Sequence, residues 1–262
     1  AYDVEATSYT RDVEAFKLLK TIVNKITGDE SIYKSPTDMG VNRISAGIID
    51  DKTCSDAAYQ EIIRRHLRSF LDYAHGIINQ PALNRYAVIM DKVSAKDEDR
   101  TVVEPARIAA KQAKEEGKGY KGVFCGAAIQ LKDGTIITGK NSNLLHASSA
   151  MILNAIKHLA GIPDNMILLP ENIIDSVTHL KEEILDGKNT SLDVEETLVA
   201  LAISAISNPA AEMAVKKLID LNECEMHSSH ILTPGDEAGM RKLKVNVTCD
   251  PLFSSKRLFV SE

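Results

Sequence analysis

"KGVFCGAAIQLKDGTIITGKNSNLLHASSAMILNAIKHLAGIP" runs from Lys121 to Pro163, and its changes of period decide the fold. "KGVFCGAAIQL" and "TIITGKNS" are two β-rich runs about a short Lys-Asp-Gly turn, which predicts a β-hairpin. Small polar residues then pass one histidine, His146, into apolar residues at helical spacing, predicting a helix over Ala147–Ala160. Downstream, helical stretches are expected at Glu171–Leu185, Asp193–Ile206 and Pro209–Leu221, with Asn208-Pro209 breaking the last two. The chain closes with a strand (Glu225–Leu232), a short helix (Asp236–Leu243) and a strand (Val245–Thr248). Hairpin, helix, strand, helix, strand predicts a three-layer α/β domain over 118–262, with a helical insertion at about 165–222.

Upstream the period is helical, so residues 1–117 are expected to form a mostly helical subdomain, making the chain α+β overall. "TRDVEAFKLLKTIVNKITG" puts Val13, Phe16, Leu19, Ile22, Val23 and Ile26 on one face, with Thr10 as cap and Gly28 as terminator. "SDAAYQEIIRRHLRSFLDYAHGII" is a second helix capped by Ser55; "PALNRYAVIMDKVSA" and "VEPARIAAKQAKEEGKG" are a third and fourth. Between the first two, "YKSPTDMGVNRISAGIIDD" is too polar, and too marked by Pro and Gly, for core. A chain that opens at Ala1 and turns helical almost at once is expected to be a fragment or a processed chain.

At 44% apolar and 26% charged, 262 residues suffice for a buried core. A formal charge of −6 argues against a nucleic-acid partner, and no apolar run reaches the ~18 residues of a membrane span. Cys54, Cys125, Cys224 and Cys249 are widely spaced with no CxxC, so a soluble cytoplasmic chain with reduced thiols is expected.

His146 raises the question of a metal. Hairpin, His-led helix, strand and helix together resemble the cytidine-deaminase-like fold, whose zinc members open the first helix with H-A-E and the second with P-C-x-x-C. Here the motifs read His146-Ala147-Ser148 and Pro234-Gly235, with Gly235 and Ala238 where the thiolates would be. One ligand of three cannot hold zinc, so no metal is expected and the helix N-terminus, with Ser148 and Ser149, is left to bind an anion. Cys224, His227 and His230 form a second C-x-x-H-x-x-H cluster, but strand alternation turns His227 away from the other two.

"YKSPTDMGVNRISAGIIDD", "EIIRRHLRSFLDY", "DGTIITGKNSNLLHASSAMILNAIKHLAGIP", "ALAISAISNPAAEMAVKKL" and "CEMHSSHIL" together resemble the bacterial family called domain of unknown function 1846. The resemblance covers nearly the whole chain and implies that it is the C-terminal half of a longer protein. The absent N-terminal half carries a P-loop-like segment, implying a partner half that binds a nucleotide with Mg. It also leaves Ser35, Pro36, Thr37, Asp38, Gly40, Asn42, Lys140, Asn141, Ser142, Glu225, His227 and Ser228 on the family's motif positions.

Read chemically, "SPTDMGVN" bunches Ser35, Thr37, Asp38 and Asn42 about Gly40, which suits a polar ligand or a Mg-bound phosphate, or else an Asx-turn and cap cluster. "GKNS" presents Lys140, Asn141 and Ser142 to an anion, or simply ends a strand. Glu225 and His227 share a strand face and suit acid–base work, or a buried pair. Two functions follow. One is an enzyme binding a small anionic ligand in an interdomain cleft, with Asp38, Glu225 and His227 catalytic. The other is a non-catalytic scaffold that forms a homo-oligomer.

Overall fold

The computed structural model describes residue 22, residues 25–28 and residues 51–254. By packing, the chain divides into two compact units, Ala1–Ala58 and Tyr59–Glu262. The polar loop with Ser35, Thr37, Asp38 and Asn42 lies outside the described residues.

Helix α1 spans Asp51–Ala74, so it starts a turn before Ser55, which is an interior residue and not the expected cap. Helix α2 (Gln80–Val93) is capped by Asn79, whose side chain accepts from Ala82 N, with Pro81 in the first turn where its missing N–H costs nothing. Helix α3 (Val103–Glu115) follows, and Ile63, Leu67, Met90 and Val103 close a small core among these three helices.

Strands β1 (Gly126–Gln130) and β2 (Ile136–Lys140) form the expected hairpin, Asp133 Oδ1 accepting from Thr135 N at the turn. Helix α4 (Ala147–Ala160) matches its sequence pattern and ends on Gly161 in the left-handed region. Helix α5 (Glu171–His179) runs into a π-helical turn, Leu180–Ile184. Helix α6 (Val194–Ser204) is capped by Asp193 and α7 (Pro209–Lys216) by Asn208. Strand β3 (Glu225–Ser228), helix α8 (Pro234–Lys242) and strand β4 (Asn246–Cys249) complete the chain. β3 is shorter than its apolar run: past Ser228, Ser229 Oγ takes the Gly126 N–H and Ile231 N turns to Leu252 O, so the ladder stops.

The sheet has the order β2-β1-β3-β4, with β1 antiparallel to both neighbours and β3 parallel to β4. β2, β3 and β4 therefore point the same way, and their carboxyl ends lie along one edge. Two glycines show how the layers close. A Cβ on Gly126 would meet Ala106 O at 2.2 Å, and one on Gly139 would meet Met151 N at 2.2 Å. Helix α3 thus lies on one face of the sheet and α4 on the other, each at backbone contact. Side-chain alternation follows suit: Ala128 packs with Val102 and Ala106 beneath α3. Ala127, Ile129 and Met226 join Met151, Ile152, Leu201 and Met240 in the main core. The expectation of a mixed α/β domain with helices on both faces describes this arrangement.

Candidate functional site

The carboxyl edge of the sheet gathers most of the polar residues flagged by sequence, but binds each of them to a neighbour. Lys140 ion-pairs with Glu116 at 2.6 Å. Asn141 is buried, its Oδ1 accepting from Cys125 N (2.8 Å) and its Nδ2 donating to Val123 O (3.0 Å), which stitches the start of β1 to the end of β2. Ser142 Oγ accepts from Leu144 N and Leu145 N in a turn. Ser148 and Ser149 are buried, and Ser149 Oγ donates to Leu192 O.

Glu225 and His227 do share a face, the one under α3, as register with Gln130 and Ala128 requires. Their partners differ. Arg100, almost fully buried, donates to Glu225 Oε2 (2.5 Å), Thr248 Oγ1 (3.0 Å) and the carbonyls of Met226 and Asn246. His227 is fully buried; its Nδ1 lies 2.9 Å from Thr248 Oγ1 and its Nε2 lies 3.4 Å from Asp250 Oδ1 without an aligned hydrogen bond. Burial lowers its pKa against the pull of Asp250, so the imidazole is neutral. Asp250 receives a two-pronged guanidinium from Arg107, at 2.7 and 3.0 Å. Burial pushes its carboxyl up, but the Arg107 guanidinium and the neighbouring His227 ring prevail and hold it at about 2. Lys140 and His227 are thus separated by β1, Lys140 paired with Glu116 and His227 with Thr248.

The chemistry that stands out lies on the other face. His146 is the N-cap of α4, and its Nδ1 is 2.8 Å from Asp236 Oδ2 in the first turn of α8. Asp236 also accepts from Val194 N, the first residue of α6, at 3.1 Å and from Thr233 Oγ1 at 2.8 Å. The amino ends of three helices therefore meet at one carboxylate, which their dipoles favour in its charged form. His146 Nε2 faces Asn189 Nδ2 at 2.9 Å. Asn189 Oδ1 already accepts from Ser191 N and Ser191 Oγ, so its amide nitrogen is the group turned to the ring. Nε2 is then the acceptor, and the imidazole proton sits on Nδ1 against Asp236. Burial alone would lower the pKa of His146; the hydrogen bond and charge of Asp236, with the charge of Asp193, override it and leave it raised.

The same geometry leaves no room beside α8. A Cβ on Gly235 would lie 2.0 Å from Asp193 Oδ2, and one on Gly239 would lie 2.4 Å from Val194 Cγ1. The cap of α6 fills the space beside α8, so a bulkier residue at either position has no room. With Nδ1 held by Asp236 and no sulfur at Gly235 or Ala238, the residues present do not fit zinc. Among the described residues no group of three His, Cys, Asp or Glu side chains is placed to hold a metal. Cys125, nearby, is no nucleophile: burial and the charge of Asp236 push its thiol up to about 12.

Sequence reading flagged His146 but missed Asp236 and Asn189, which lie 90 and 43 residues away and announce themselves only by packing. Thr233 and Asp236 did carry one local signal, a cap followed three residues on by an acid.

Comparison with known proteins agrees with this mixed α/β chain in giving company but no reaction. Residues 1–94 match the family model described as domain of unknown function DUF1846, N-terminal, and residues 98–259 that described as DUF1846, C-terminal. The expectation of a C-terminal half alone, its N-terminal partner lying elsewhere, is thereby corrected: models of both parts match within this chain. The chain is similar to a "UPF0371 protein" of Clostridium botulinum, strain Langeland, 45% identical over 260 residues, covering 99% of this chain and 51% of the relative. A "UPF0371 protein" of Clostridium tetani is 44% identical over 260 residues, with the same coverage. One of Clostridioides difficile is 45% identical over 261 residues, covering 99% of this chain and 52% of the relative. The chain thus spans about half the length of the curated relatives it matches. Matched along nearly its whole length, the chain belongs to the DUF1846 family.

Proposed function

We propose that this chain is the proton-transfer part of an enzyme acting on a small polar ligand at the carboxyl edge of the sheet. The observation that carries the reading is the His146–Asp236 pair, with Nε2 as the free base and Nδ1 locked to a carboxylate. A raised pKa makes Nε2 a stronger base. A substrate O–H or N–H that takes the place of Asn189 gives its proton to Nε2, and Asp236 stabilises the resulting imidazolium. The same proton then returns from Nε2 to the leaving group, which departs with it, and the neutral imidazole is restored.

Open α/β sheets place their ligands outside the carboxyl ends of the strands, which supports the location. The deaminase-like topology belongs to this reading too. Its support is the strand order, β1 running against the rest, and two helices that start at this edge. In this account a His–Asp pair occupies the place where that fold's zinc members keep their metal. Lys140 and Ser142 border the edge and would position an anionic ligand, with a nucleotide or phosphate ester the class the family resemblance suggests.

A scaffold reading has one observation behind it. Val199 and Ile203 on α6, and Ile206 just past it, are 60%, 49% and 84% exposed, an apolar stripe suited to a second copy. One experiment separates the readings. Wild-type chain and His146→Gln are each incubated with a mixture of phosphorylated and other polar metabolites, with melting curves as a folding control and mass spectrometry as readout. The enzyme reading expects a metabolite consumed by the wild type and not by the variant. A folded wild type that consumes none, or a variant that matches it, leaves the scaffold.

A further inference from the structure

On the α3 side of the same edge lies a cavity of about 460 Å³, distinct from the His146 centre. Lys111 and Lys114 stand over it from α3, three residues apart and so on one face of the helix. Val123 and Phe124 form an apolar wall, and His230 and Ser254 complete the lining. Among the described residues no carboxylate lines it, in a chain whose formal charge is −6. Lys111 has Glu115 at 3.9 Å, but both side chains are largely exposed, so the pair is weak and easily exchanged.

The orientation of His230 makes this more than a pair of surface lysines. Ser229 Oγ accepts the Gly126 N–H at 3.0 Å and lies 2.9 Å from His230 Nδ1. Ser229 Oγ, itself fixed by Gly126, thereby holds the Nδ1 edge of His230. The ring that lines the cavity is therefore oriented by a backbone contact at the start of β1. Two cations, a fixed imidazole and a hydroxyl beside an apolar wall match a phosphate monoester carrying an apolar group.

We propose that this cavity binds such a phosphate monoester, with Lys111, Lys114 and His230 on the phosphate and Phe124 and Val123 on the apolar part. It is independent of the proton-transfer reading, because the two sites lie on opposite faces of the sheet and share no side chain. The test is calorimetric titration of the whole chain with phenyl phosphate, inorganic phosphate and benzyl alcohol. Phenyl phosphate is expected to bind saturably, inorganic phosphate more weakly and benzyl alcohol not at all. Lys111→Ala with Lys114→Ala should weaken phenyl phosphate by about tenfold or more, without changing the melting curve, because both lysines are exposed. His230→Gln, which offers an N–H donor, should bind within about threefold of wild type, and His230→Phe should not. Absence of saturable phenyl phosphate binding, or equal binding by the double-lysine variant, overturns the site. Inorganic phosphate binding as tightly as phenyl phosphate overturns the role of the apolar wall.

Discussion

At the scale of single residues, the buried His227 and the partly buried His146 shift in opposite directions for one physical reason each. His227 is enclosed without an aligned partner for Nε2, and burial keeps it neutral; His146 has a carboxylate at hydrogen-bond distance that outweighs burial. The sign of the pH dependence follows. His146 has a folded pKa raised above 6.5, so its stabilisation is fully present below 6.5 and is lost as pH rises through the folded value. Denaturant melts of wild type and Asp236→Asn should therefore differ most at mildly acidic pH and less in alkali, where the remaining gap is the one acceptor oxygen that the amide nitrogen replaces. Asp250 behaves oppositely. Its pKa falls from 3.8 to about 2, so its stabilisation is present above 3.8 and fades as pH drops through about 2. Asp250→Asn should cost on the order of 2 kcal/mol at neutral pH, at about 1.4 kcal/mol per unit, with the two stabilities converging in strong acid. Gly235 is constrained by its neighbour rather than by its own backbone: Gly235→Ala drives a Cβ onto Asp193 and should destabilise by about 1–3 kcal/mol in urea melts.

At the scale of elements, what was legible in the sequence was what is encoded locally. The hairpin declared itself through alternation and Asp133-Gly134, and α4 through its apolar spacing between His146 and Gly161. Boundaries set by distant partners did not. β3 stops at Ser228 because Ser229 turns to Gly126, and Glu225–His227 became an anchored face because Arg100, 125 residues earlier, reaches into it. Arg100 ties the segment before α3 to β3 and β4 with four hydrogen bonds, and nothing in its local sequence marks it. Arg100→Met should cost about 3 kcal/mol, since it strips partners from Glu225, Thr248 and two carbonyls at once. The apolar stripe of α6 makes the contrary prediction. Val199→Lys with Ile203→Lys changes exposed positions, so its melting curve should match wild type within about 0.5 kcal/mol. A larger loss would mean that the stripe is covered in solution.

For the molecule as a whole, the sheet sorts its chemistry by face. Under α3, Arg100, Glu225, Thr248 and His227 form one hydrogen-bonded group and Arg107 with Asp250 another, and both tie elements on that face together. On the α4 face, three helix starts converge on Asp236 and leave one histidine with a free base nitrogen behind a single exposed amide. Sequence could place His146 at a helix start; it could not show that a carboxylate 90 residues on is its partner. Among the described residues no helix is long and apolar enough to cross a membrane. The central claim is the protonation state of His146, and nitrogen-15 NMR of the imidazole measures it directly across a pH titration of wild type and Asp236→Asn. The account predicts a proton on Nδ1, a bare Nε2 at alkaline pH and a pKa above 6.5 that falls in the variant. A proton on Nε2 instead, or a pKa that Asp236→Asn leaves unmoved, would contradict it.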